Sequence, residues 1–117
     1  MDKSTLAERK SAHVFGEVSH LSKDEVTIAA GSLVNATVLG QKDDGTFIAL
    51  DIAGGATEAA AGVLFGNIDA SAAPAPGLAH TRLTAVDGSK LVWPDGITAP
   101  PKAAALEELK ALHIIVR

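Results

Sequence analysis

A small, mainly β domain of short strands with one helix near its C-terminus is the fold class this sequence predicts, and three observations predict it. Short β-branched and aliphatic runs recur between turns marked by glycine, proline or aspartate. The only sustained helical pattern, "TAPPKAAALEELKALHIIVR", comes at the end. A length of 117 residues makes one domain, enough to bury roughly two-thirds of the surface its unfolded chain exposes. With no tyrosine, no cysteine and a single tryptophan, the apolar fraction rests on alanine, valine, leucine and glycine, which predicts thin layers and close backbone approach. Such a domain can recover stability by burying further surface against copies of itself.

The elements follow in order. "VTIAAGSLVNATVLGQ" reads as two strands, Val26–Ala30 and Leu33–Leu39, broken at Gly31-Ser32, with Val26, Ile28 and Ala30 facing inward. "KDDGT" turns through Asp44-Gly45 into the strand "TFIALDI". "AGGATEAAAG", Ala53 to Gly62, is a loop, because Gly54-Gly55 cannot hold a strand. "AAGVLFGNIDA" resumes as a strand whose contiguous Val63, Leu64 and Phe65 predict burial on both faces. "SAAPAPG", Ser71 to Gly77, is a surface loop, and "LAHTRLTAV" alternates as one strand. A tight turn at Asp87-Gly88 leads to a short strand ending at Trp93-Pro94. Pro100 and Pro101 suit a first helical turn, where their missing N–H groups would be unpaired anyway. Leu106, Leu109 and Leu112, with Ala103 and Ala105, form its apolar face. Lys102, Glu107, Glu108 and Lys110 fall on the wet side. Ile114–Val116 closes the chain as a strand.

Residues 1–25 differ from the β-rich remainder, 26–117. Lys3, Arg9, Lys10 and Lys23 alternate with Asp2, Glu8, Glu17, Asp24 and Glu25, yet Val14, Phe15, Val18 and Leu21 sit among them. "TLAE", Thr5 to Glu8, fits a capping box, but no apolar period follows to sustain a helix. The segment reads as a mobile arm. The alternative is an edge strand packed on its own domain.

Little points to catalysis. The four histidines, His13, His20, His80 and His113, make no metal-binding spacing and read as solvated. No G-x-S-x-G elbow anchors a hydrolase triad. Asp43-Asp44 belongs to a hairpin turn and Glu107-Glu108 to a helix surface, so neither suits acid/base work. "GGATEAAAG" lacks the Lys-Ser/Thr of a phosphate loop. "GVLFG" places glycines where a bulge or close sheet packing is expected. Trp93 is either a packed core residue or a subunit contact. A net charge of −4 with scattered Lys and Arg argues against nucleic acid. No apolar run is long enough to span a membrane, and the start lacks the apolar stretch of a secretory signal. No cofactor and no metal are expected.

In this order the segments resemble the head decoration proteins of tailed bacteriophages, the family that includes the lambda decoration protein. The resemblance runs from about Val14 to Arg117. "VFGEVSHLSKDEVTIAAGSLVNATVLG", "AAAGVLFGNIDASAAP" and above all "LVWPDGITAPPKAAALEELKALHIIVR" carry it. It implies a β-clip fold that assembles as a homotrimer on three-fold positions of the expanded head. It implies a virion protein of the outer capsid surface, made in the host bacterial cytoplasm, whose partner is the major capsid protein. It also implies an N-terminal arm, disordered in free protein, that orders on the capsid. Val14, Phe15, Val18 and Leu21 would then be anchors, and the backbone between them would add a strand to a capsid sheet. The segment here is richer in charge and poorer in proline and glycine than the lambda type. Two rivals remain: a nucleotide-hydrolysing β-clip trimer, for which the sequence offers no tyrosine and no suitable acidic motif, and a generic trimeric adaptor or glycan-binding domain.

Overall fold

The alternation at Val26, Thr27 and Ile28 builds a strand as predicted, with Val26 and Ile28 buried and Thr27 exposed. The computed structural model, which describes residues 13–50, 59–93, 97 and 99–117, begins this strand, β2, at Lys23 and ends it at Ile28. Before it come β1 (Val14–Glu17) and a single helical turn, α1 (Ser19–Ser22). After it follow β3 (Gly31–Leu33), β4 (Val38–Gln41), β5 (Phe47–Ala49), β6 (Ala60–Phe65), β7 (Ile68–Ala70), β8 (Ala75–His80) and β9 (Thr84–Val86). A 3₁₀ turn (Gly88–Lys90), α2 (Ala99–Ala111) and β10 (Ile114–Val116) complete the order. The fold is mainly β with one C-terminal helix.

Strands β2-β5-β4-β6-β8 close a barrel, antiparallel throughout except where β2 meets β5 at Ile28 and Phe47. Beside it β1-β9-β10 form a three-stranded sheet, antiparallel at β1–β9 and parallel at β9–β10, while β3 and β7 make a separate ladder. Two cores result. Val26, Ile28, Leu39, Phe47, Leu64 and Ala79 fill the barrel. Val38, Val63, Val86, Ala105, Leu109 and Ile114 pack the outside of the barrel against α2 and the small sheet. Val38 and Leu39 on β4, and Val63 and Leu64 on β6, thus send alternate side chains into different cores. That is why Val63 to Phe65 read as a strand buried on both faces.

Several expectations hold. Asp44 accepts from the Thr46 N–H and hydroxyl in the β4–β5 hairpin, with Gly45 at φ 91°. Asp87 caps the 3₁₀ turn through the Ser89 N–H. Gly62 is a close-packing glycine, since a Cβ there would lie 2.9 Å from the His80 carbonyl oxygen.

Others differ from the structure. Within the segment 1–25, where an arm is expected, Val14 to Glu25 form strand, helical turn and strand, β1 pairing with β9 and β2 lying in the barrel beside β8. Its polar side chains find partners there: Asp24 with Arg82, and Glu17 with His80 and Lys23. Residues 1–12 lie outside the described residues. The run Leu33–Leu39 is interrupted by a turn in which Ala36 takes φ 72°, and Gly31-Ser32 belongs to a strand rather than a break. Residues 75–86 are two strands, because Leu83 at φ 53° ends the alternation, and Ala75–Gly77 belong to β8 rather than to a loop. Ala60–Gly62 likewise belong to β6, while the glycine pair of that loop lies outside the described residues. Val92 makes only an isolated bridge, to Thr37. On α2, Glu108 does not face water alone: its Oε1 accepts the Ala60 N–H at 2.8 Å. Ala103, expected on the apolar face, is exposed.

Candidate interaction face

β1 carries a bulge: Val14 pairs with Val86 and Gly16 with Ala85, leaving Phe15 as the extra residue. A bulge re-aims side chains, and Phe15 is 60% exposed although its backbone is held in a sheet. The chain then turns through α1, locked by the buried Ser22. Its Oγ accepts the Val18 N–H at 2.7 Å and donates to the Leu83 carbonyl at 2.8 Å. Arg82 donates to the Leu21 carbonyl at 2.7 Å and to Asp24 at 2.6 Å. These bonds fix a backbone that displays Val18 and Leu21, 47% and 58% exposed. Of the four residues singled out from the sequence, Val14 alone is partly buried.

A second set of apolar residues adjoins them. On β9, Thr84 and Val86 are buried, so Ala85 faces outward between Gly16 on one side and Ile115 on the other. Val18 and Leu83 flank this row, and together with Glu17, Thr84 and His113 they line a shallow groove of about 440 Å³. Leu83 and Ile115 carried no signal in the sequence. Their exposure follows from the left-handed turn at Leu83 and from the parallel register of β10 on β9.

Trp93 packs, half-buried, against the core shared by the helix and the small sheet, with Lys102 Nζ 5.3 Å from its ring centroid. Its exposed side borders a groove of about 170 Å³ with Leu33, Val34 and Val92.

The histidines need correction. His13 and His80 are buried, not solvated, and His113 is exposed at φ 64° after α2. The side chain of His20 lies outside the described residues. His80 Nε2 is 2.7 Å from Glu17 Oε1, tying β8 to β1. That bond, with Lys23 3.6 Å away, holds the Glu17 carboxyl below its ordinary range. Arg82, then Thr81, does the same for Asp24. Among the described residues no three His, Asp or Glu side chains converge as a metal site, and no helix is long and apolar enough to cross a membrane. The arrangement presents apolar contact area.

A family model described as bacteriophage lambda head decoration protein D matches residues 6–114. The chain belongs to that family. As a lambda head decoration protein D family member it is a structural protein of the phage head, placed on the capsid of the virion. No curated protein matches the chain. The match runs from before β1 to the first residue of β10 and includes the exposed Phe15, Val18 and Leu21.

Proposed function

We propose that this decoration protein is a homotrimeric cement. It binds the outer surface of the expanded head at three-fold sites, through major capsid protein contacts made by the segment up to Ser22, and holds the shell against the pressure of packaged DNA. The observation that carries the attachment is the exposure of Phe15, Val18 and Leu21 on a backbone already pinned to the body. Ordering a free segment costs about 1–2 kcal/mol per residue. Anchors held in place from Val14 onward avoid most of that cost, so preorganised contacts contribute more of their burial to affinity. Three such faces on one trimer make the second and third contacts effectively intramolecular. A protein that binds only the expanded shell stabilises it by mass action.

The test is co-sedimentation with expanded, undecorated heads. A truncation through Glu25 would remove Lys23–Glu25 from the barrel strand β2, so the informative variants keep the body intact. The full chain should bind saturably, and a Phe15→Ser, Val18→Ser, Leu21→Ser triple variant should lose affinity by at least about a hundredfold, the loss of roughly 3 kcal/mol of apolar contact. Equal binding by both would move the contact elsewhere on the body. Absence of binding by the full chain would end the cement reading.

A further inference from the structure

Titratable groups meet where β1 lies against the barrel. His80 on β8 is fully buried, with its Nε2 2.7 Å from Glu17 Oε1 on β1. His13, directly before β1, is buried too, its ring edge-on to that of His80 at a centroid distance of 6.1 Å. Phe65 on β6 closes a third side, 5.3 Å from His80 and 6.4 Å from His13. Lys23 on β2 lies 3.6 Å from Glu17 and 4.5 Å over the Phe65 ring. Among the described residues, the charged or titratable groups around His80 are Glu17, His13 and Lys23. Asp24, next along β2, is engaged by Arg82 and Thr81.

Glu17, held ionised, is an acceptor, which assigns the His80 proton to Nε2. Nδ1 then carries a buried lone pair, with no hydrogen-bond partner among the described residues. A second proton would have to enter at Nδ1, where no acceptor among the described residues meets it. Burial accordingly lowers the proton affinity of His80, with Glu17 opposing. The least costly way to admit water is to lift β1. It is a four-residue strand that, among the described residues, pairs with β9 alone, and it exposes Phe15, Gly16 and Glu17.

We propose that the His13–Glu17–His80 cluster is a proton-operated latch, holding β1 on the body at neutral pH and releasing it on mild acidification. The sign follows from linkage. The open form takes up a proton that the closed form resists, so the latch is fully engaged above the ordinary histidine value of 6.5 and weakens as pH falls below it. Glu17 acts in the same direction at lower pH: its contribution is present above 4.5 and lost as pH falls through its depressed closed-state value. The latch is a property of the fold and stands whatever surface the exposed residues of β1 meet.

Amide hydrogen exchange on the full chain, corrected for intrinsic rates, tests it. Between about pH 7.5 and 5.5, residues 14–22 should lose protection severalfold, bounded near tenfold for the His80 proton. Protection of β4 and β6 should hold. His80→Gln keeps an N–H for Glu17 but gains no proton, and its residues 14–22 should show no such change. Unchanged protection in the parent protein, or an equal loss in the His80→Gln variant, would overturn the latch. Should that variant not fold, NMR titration of the parent decides alone. A His80 ring titrating below the ordinary value supports the latch, and one titrating at or above it refutes the latch.

Discussion

Gly62 shows how one residue sets the spacing of the barrel. The backbone of β8 approaches it so closely that a methyl group would stand 2.9 Å from the His80 carbonyl and 3.6 Å from Thr81 Cγ2. The carbonyl is part of a strand ladder and cannot swing aside as a side-chain tip can. Gly62→Ala should therefore destabilise the fold by about 1–3 kcal/mol, despite removing a flexible glycine, as read by urea denaturation. A neutral result would mean that β6 and β8 have slack the structure does not show. His80, whose carbonyl makes this contact, is the residue whose role the sequence hid most completely. A lone histidine in an alternating run looks the same whether it faces water or a buried carboxylate. Only the β1–β9 register brings Glu17, distant in sequence, to within 2.7 Å of it.

At the scale of elements, what was legible followed local chemistry. The Asp44-Gly45 hairpin, the 3₁₀ turn capped by Asp87, the helix opened by Pro100 and Pro101 and the final strand Ile114–Val116 all rest on residues near one another in the chain. What the sequence does not show depends on distant partners. Val14–Glu25 reads as too polar for a body element, while its charges are met across the chain by His80 and Arg82. The sequence singles out the four apolar residues of that segment, but not that three of them stand exposed on a fixed strand and turn. Ser22, Leu83 and Ile115, which complete the face, gave no signal, since register and a left-handed turn place them. The helix shows the same limit. Its apolar contact rests chiefly on Ala105 and Leu109, while Glu108 reaches across to the first N–H of β6. Glu108→Ala leaves that buried donor without its acceptor and should cost about 1–3 kcal/mol. Glu108→Gln, which can still accept, should recover most of it. Equal losses in the two variants, measured by chemical denaturation, would show that the bond adds nothing.

For the whole molecule, the two cores divide the labour. The barrel core makes a body, and the second core fastens the helix and the small sheet to it, so the exposed face of β1, β9 and β10 is backed by Val86, Leu109 and Ile114. On the cement reading, a face supported in this way would carry load where a loose segment would stretch first. The measurement that tests the cement reading most directly is a cryo-electron microscopy reconstruction of expanded heads saturated with the protein. The reading predicts three copies around each three-fold position, with Phe15, Val18 and Leu21 against the shell. Density elsewhere on the lattice, or these three residues facing solvent, would contradict it.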